Sequence, residues 1–129
     1  MALGDVFTDA QQHEIARVIA EAERVSGWDY SVHVGAADGD SRVYAESLHA
    51  SLPDPARSVL VQLDQQRRSL EIVTGSAVAR VFDNRAAGLV AVTMQSAFTV
   101  GDLAGGLVNG LQQMAQLARA PRSLHTDTP

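Results

Sequence analysis

Residues 58–75 read SVLVQLDQQRRSLEIVTG, and this stretch decides the fold. Val59 to Leu63 is almost wholly apolar, which is typical of a strand covered on both faces. Asp64 to Arg68 carries the polar turn, and Leu70 to Thr74 then returns as an antiparallel partner. The stretch therefore predicts a β-hairpin whose first strand lies in the middle of a sheet.

A helix and a further strand are predicted upstream of this hairpin. Thr8 and Gln11 have the spacing of a capping box, and apolar residues follow at helical spacing as far as Val25. After the Ser26–Gly27 stop, apolar and polar residues alternate as in a strand with one buried face; its apolar positions are Trp28, Tyr30, Val32 and Val34. The turn Asp38-Gly39-Asp40 leads into a second predicted helix that reaches Leu52, before Pro53.

From Gly75 onward the apolar spacing is helical, in one short and two longer pieces. The order α-β-α-β-β-α-α-α predicts a right-handed βαβ crossover followed by the hairpin. Strands one and two are then parallel, and strand three is antiparallel. We expect an α/β fold, a three-layer α/β/α sandwich with a small mixed β-sheet flanked by helices. Residues 1–120 form a single domain in this interpretation, and residues 121–129 form a disordered tail.

Composition excludes several kinds of chemistry. The 129 residues include no cysteine, so thiolate zinc sites, disulfides and cysteine nucleophiles are excluded. All ten basic residues are arginine, which also excludes Schiff-base chemistry and a Walker A lysine. The net charge of −5 argues against nucleic acid as a partner, because phosphates require a basic surface.

The sequence also predicts a location. No basic segment precedes an uninterrupted apolar run near the start, so no signal peptide is expected. No run of eighteen apolar residues occurs, so no transmembrane segment is expected. These features predict a soluble, cytoplasmic protein.

Two segments carry a resemblance to a known family. The first is the hairpin VLVQLDQQRRSLEIVTG with the later Asp83, and the second is FTVGDLAGGL, residues 98–107. Together they resemble the TPM domain family, which is named for a thylakoid-lumen protein, a photosystem II repair protein and a nematode receptor modulator. The lysine-free composition is similar to that of the small soluble actinobacterial variant of this family, whose function is unknown.

The resemblance implies two activities, calcium binding and acid phosphatase activity. The family pattern has a Gly-x-Gly-x-Glu run after the hairpin, whereas this chain has Gly75-Ser76-Ala77-Val78-Ala79 and lacks the acidic residue. Clustered oxygen ligands are needed for both activities. The departure therefore favours a non-catalytic module over the alternative, a Ca²⁺-dependent acid phosphatase.

Three aspartates are the candidate metal ligands. The predicted topology allows Asp54, Asp83 and Asp102 to approach one another, and three carboxylates with added carbonyls and waters would hold Ca²⁺ weakly. The alternative is structural, because Asp83 or Asn84 and Asp102 stand where helix N-termini favour such side chains. We expect no cofactor other than this weak Ca²⁺ site.

Arg67 and Arg68 are the candidate phosphate-binding residues, since guanidinium groups hold phosphate oxygens in pairs. Solvated arginines in a hairpin turn are the alternative. No nucleophile–base pair is evident: His13-Glu14-Ile15-Ala16-Arg17 falls short of a zinc-protease motif, and no G-x-S-x-G occurs. The sequence thus favours a non-catalytic binding or accessory module that acts on an unidentified protein partner.

Overall fold

β2 lies at the centre of a three-stranded sheet with the order β1-β2-β3. The computed structural model describes residues 6–119, and the predicted tail at 121–129 lies outside the described residues. Within them the α-helices and strands follow one another as α1 (Asp9–Ser26), β1 (Asp29–Val34), α2 (Ser41–Ala50), β2 (Ser58–Asp64), β3 (Ser69–Thr74), α3 (Asn84–Thr99) and α4 (Leu103–Leu117). Two short 3₁₀ turns complete the described chain, at Pro55–Arg57 and Val78–Arg80.

The directions of the strands confirm the sequence prediction. β1 pairs with β2 in parallel, with Asp29 opposite Ser58. β3 pairs with β2 antiparallel, with Asp64 opposite Ser69. Every residue of β2 is buried, as expected of a central strand with helices on both of its faces. The βαβ crossover and the hairpin are therefore both present.

The helices form two unequal layers. Three of them, α1, α3 and α4, share the larger core with one face of the sheet, where Tyr30, Val61 and Ile72 point. α2 covers the opposite face, where Ala45 packs with Leu60 and Val73. The α/β fold is thus a three-layer arrangement of α1, α3 and α4, the mixed sheet, and α2. None of the helices within residues 6–119 is both long and apolar enough to cross a bilayer.

Local sequence signals account for where the helices begin. Thr8 and Gln11 form the predicted capping box at the start of α1. Asp40 accepts a hydrogen bond from the Val43 amide at the start of α2. Gly27 ends α1 with φ of 85°, a left-handed conformation that glycine adopts without steric cost.

Two helical segments are shorter than predicted. α2 ends at Ala50 rather than Leu52, because the chain turns at Ser51 on its way to the 3₁₀ turn that begins at Pro55. After β3, the predicted short helix is only the 3₁₀ turn Val78–Arg80. Tight packing fixes the chain there: a Cβ on Gly75 would lie 2.0 Å from the carbonyl oxygen of Pro55.

Candidate functional site

The C-terminal end of β2 and the turn that follows it, Gln65 to Arg68, form what we call the hairpin end of the sheet. Asp64 organises this end although it is almost wholly buried. Its carboxylate accepts hydrogen bonds from the backbone amides of Ala37 at 2.9 Å, Gln66 at 3.1 Å and Arg67 at 3.1 Å. These bonds, that of Ala37 first, lower the pKa of Asp64. Asp64 therefore ties the turn to the loop that follows β1.

Arg67 uses its guanidinium within the protein. Its Nη1 donates to the carbonyl of Gly39 and to Ser41 Oγ, the latter at 3.4 Å, and its Nε lies 3.7 Å from the carboxylate of Asp64. These contacts fasten the turn to the start of α2. Arg67 therefore links the hairpin turn to the loop before α2 through its Nη1 group.

Arg68 differs from its neighbour in both conformation and contacts. Its φ of 55° places it in the left-handed region, which residues with a Cβ seldom adopt. Within residues 6–119 its side chain takes part in no hydrogen bond or ion pair. The two arginines predicted to bind phosphate together thus differ in their contacts, and in the described residues the guanidinium of Arg68 has no hydrogen-bond or ion-pair partner.

A cavity of about 650 Å³ lies beside Arg68 at the hairpin end. Its apolar lining comes from β2, from the end of α3 and from the start of α4, and the other described lining residues are uncharged except for Arg68. Helix ends and a strand end therefore meet here. The lining residues are Leu63, Gln65, Arg68, Gln95, Phe98, Thr99, Gly101 and Leu103.

The aspartates predicted to bind metal are placed separately. Asp83 caps α3 by accepting from the Ala86 amide at 3.0 Å, and Asp102 caps α4 by accepting from the Gly105 amide at 2.9 Å. The first stands before α3 and the second after it. Since α3 has 16 residues, its two ends are about 24 Å apart.

Asp54, the third predicted ligand, precedes the 3₁₀ turn and makes no side-chain capping bond there. Within residues 6–119, no three His, Cys, Asp or Glu side chains are grouped closely enough to hold a metal ion. The three aspartates therefore do not form the predicted cluster. The physical reason is that α3 runs the length of the sheet and carries the chain from one end to the other between Asp83 and Asp102.

The α3–α4 junction contributes to the cavity in a way that the sequence did not predict. Phe98, Gly101 and Leu103 belong to the segment that carried the family resemblance, and the pattern of that segment does not predict that they line a cavity. A signal was available nonetheless. Asp102 is the only charged residue between Arg85 and Arg119, so the two helices present unusually uncharged surfaces.

Solved structures share this fold. The BA42 protein from the psychrophilic bacterium Bizionia argentinensis is similar over 87% of this chain and 81% of its own, with a TM-score of 0.79 and 18% identity. The N-terminal domain of a protein from P. gingivalis is similar over 87% of this chain and 76% of its own, with a TM-score of 0.72 and 16% identity. At such low identities, these similarities show a shared α/β fold alone.

The family comparison corrects the predicted resemblance. The TPM assignment, with its actinobacterial variant, is wrong, because the family model that matches this chain is a different one. The motifs misled for a physical reason. Asp83 and Asp102 are helix caps and Gly101 adopts a φ of 84°, so the quoted residues are ones that the local geometry requires. Residues 3–115 match the family described as "Domain of unknown function (DUF5130)", and the chain belongs to that family.

Proposed function

We propose that this domain is a non-catalytic binding module whose binding site is the hairpin-end cavity. One observation carries the proposal: the cavity is lined mainly by apolar and amide side chains, and Arg68 is the single ionisable lining residue in the part of the chain that the structure describes. Ligand sites in proteins are commonly concave and mostly apolar, with a few polar groups that fix the ligand's orientation. A cytoplasmic location is part of the same proposal.

The chemistry of the lining favours binding over turnover. Among the described residues, no carboxylate, imidazole or thiol lines the cavity. The hydroxyl of Thr99, which does line it, donates to the carbonyl of Gln95 at 2.8 Å. General acid–base catalysis needs a titratable group within about 3 Å of the reacting proton. The phosphatase alternative therefore has no acid–base pair to operate in this cavity.

His33 does not supply the missing base. Its Nδ1 is hydrogen-bonded to Gln62 Oε1, and its ring lies edge-on to Tyr44 with centroids 6.2 Å apart. Gln62 in turn donates to the carbonyl of Gly35 at 2.9 Å. These contacts place His33 on the α2 face of the sheet, where it stabilises the packing of that face.

Amide chemical-shift mapping tests the proposal directly. Small apolar and amphipathic fragments are titrated into the ¹⁵N-labelled protein, and we expect shifts concentrated at residues 63–68 and 95–103. In a parallel assay, p-nitrophenyl phosphate with Ca²⁺ should be hydrolysed no faster in the presence of the protein than in its absence.

The two readouts contradict the proposal in different ways. Sustained hydrolysis that scales with protein concentration would show that the domain is an enzyme. An absence of shifts at the cavity with every fragment, or shifts clustered only at another surface, would show that the cavity is not the binding site.

A further inference from the structure

We propose that the hairpin-end cavity takes a single amphipathic anion, a short apolar chain that ends in a carboxylate or phosphate. This inference rests on the proposed function and adds the chemical class of the ligand. The apolar chain would lie against Leu63, Phe98 and Leu103, and the anionic group would lie at the guanidinium of Arg68.

The charge of the cavity supports an anion. The protein carries a net charge of −5, yet among residues 6–119 Arg68 is the only ionisable side chain that lines the cavity. Asp102 stands between two lining residues, and its carboxylate accepts a hydrogen bond from the Gly105 amide in the first turn of α4 instead of lining the cavity. The charge on the described lining side chains is therefore positive, and a guanidinium holds carboxylate or phosphate oxygens through paired hydrogen bonds.

The conformation of Arg68 supports a role for its side chain. Glycine or asparagine would occupy a left-handed position at the end of a hairpin turn with less strain. Residues in sparsely populated backbone conformations cluster at active sites and ligand-binding sites. Arg68 also remains without a partner within residues 6–119, whereas the adjacent Arg67 bonds to Gly39 and Ser41.

The remaining lining fits the two parts of such a ligand. Leu63 is buried, and Phe98 and Leu103 are half-buried, so each offers apolar surface to a chain. The side-chain amides of Gln65 and Gln95 make no hydrogen bond within the described residues, which leaves their N–H groups available to the anionic end. A volume of about 650 Å³ is ample for a chain of several carbons.

Matched probes separate the two halves of the proposed ligand. Hexyl phosphate and hexanoate carry both a chain and a charge, 1-hexanol carries the chain alone, and inorganic phosphate carries the charge alone. We expect the two amphipathic anions to bind at least about tenfold more tightly than hexanol or inorganic phosphate, as measured by the amide shifts of residues 63–68 and 95–103.

Three variants assign this difference to side chains. Arg68→Gln should lower the affinity for hexyl phosphate to that for hexanol and leave the affinity for hexanol unchanged. Arg68→Gly should do the same without lowering the melting temperature, because glycine relieves the left-handed strain. Arg85→Gln, which removes an exposed arginine at the other end of α3, should leave every affinity unchanged.

The outcomes distinguish this inference from the proposed function. If hexanol binds at the cavity as tightly as hexyl phosphate, or if Arg68→Gln leaves the preference for anions intact, the ligand class is wrong and the binding site stands. If no probe shifts the cavity amides, both are wrong. A further outcome is that the protein co-sediments with phosphatidylglycerol vesicles, loses this co-sedimentation in Arg68→Gln, and fails to bind free hexyl phosphate. That result would mean that the cavity contacts a bilayer surface, and the proposal of a single bound molecule would be wrong.

Discussion

Asp64 shows how a single buried carboxylate sets the geometry of the hairpin end. It accepts hydrogen bonds from the amides of Ala37, Gln66 and Arg67, and these contacts lower its pKa. Asp64→Asn removes the charge but keeps the size, so it should reduce the free energy of unfolding at pH 7 by about 1–3 kcal/mol. Asp38→Asn, at an exposed position nearby, is the matched control and should change it by less than about 0.5 kcal/mol.

The same variant makes a prediction about pH. Because the pKa of Asp64 is lower in the folded state, its stabilising contribution is fully present above the unfolded value of about 3.9 and is lost as the pH falls through the folded value. Wild type and Asp64→Asn should therefore differ most at neutral pH and converge below about pH 4. Urea unfolding at several pH values measures this difference, and a constant gap from pH 7 to pH 3 would contradict the assignment.

At the scale of elements, the packing of α4 on α3 depends on a glycine. A Cβ added to Gly110 would lie 2.0 Å from Cε of Met94, a residue that is fully buried in the core. Gly110→Ala should lower the free energy of unfolding by about 1–3 kcal/mol through overpacking. Gly88→Ala is the matched control, because it is a helical glycine with nothing within 4 Å of the added Cβ, and it should raise stability by up to about 1 kcal/mol.

A double-mutant cycle tests whether contact with Met94 causes the loss of stability in Gly110→Ala. In a Met94→Ala background the added methyl group has room, so Gly110→Ala should cost less than it does in the wild-type background. Denaturant unfolding of the four proteins gives this coupling energy. Additive costs would mean that the strain lies elsewhere along the interface of α3 and α4.

The glycines of α4 also show what the sequence can predict about an element. A glycine inside a helix costs about 1 kcal/mol relative to alanine, so three glycines between residues 105 and 110 indicate that something packs closely on this helix, without showing whether it is the domain itself or a partner. The structure answers for two of them: Gly106 faces Phe98, and Gly110 faces Met94, both on α3. The sequence could not identify α3 as the neighbouring helix, because the spacing of glycines predicts a close contact but does not name the element that makes it.

At the scale of the whole molecule, β2 is the central strand of the sheet, and helices cover both of its faces. Its amides are bonded to β1 and β3, and all of its residues are buried. The amides of Val59 to Leu63 should exchange with solvent among the slowest in the protein. Ile72 in β3 gives a matched comparison, because its side chain is also buried. Its carbonyl accepts a hydrogen bond from Arg42 at the outer edge of the sheet. In an antiparallel strand the N–H and C=O of one residue point to the same side, so the Ile72 amide also faces away from β2.

Hydrogen exchange followed by NMR checks this order. The Ile72 amide should exchange faster than that of Val61, the residue opposite it in the register. Exchange of Val59 to Leu63 as fast as that of Ile72 would mean that the sheet opens as a unit or that β2 is not held between its neighbours in solution.

The fold and the site differ in how far the sequence determines them. The strand order follows from local evidence, since alternation at Tyr30 to Val34 and the unbroken apolar run at Val59 to Leu63 each predict burial. The helix caps at Thr8, Asp83 and Asp102 are equally local. The cavity is not local, because it arises where the end of α3 meets the hairpin, and its lining residues are separated along the chain. The predicted cluster of Asp54, Asp83 and Asp102 did not form, because their proximity depended on the direction and length of α3.

The single tryptophan marks the end of the molecule that lies away from the cavity. Trp28 precedes β1, donates its indole N–H to the carbonyl of Ala118 and lies under the guanidinium of Arg57, 4.5 Å from the ring centroid. It is therefore about 20 Å from the hairpin end, the length of β2. Its fluorescence is a built-in reporter of the far end of the domain. An emission change on filling the cavity would mean that the two ends communicate through the sheet, and a silent tryptophan would mean that ligand binding is a local event in an otherwise rigid scaffold.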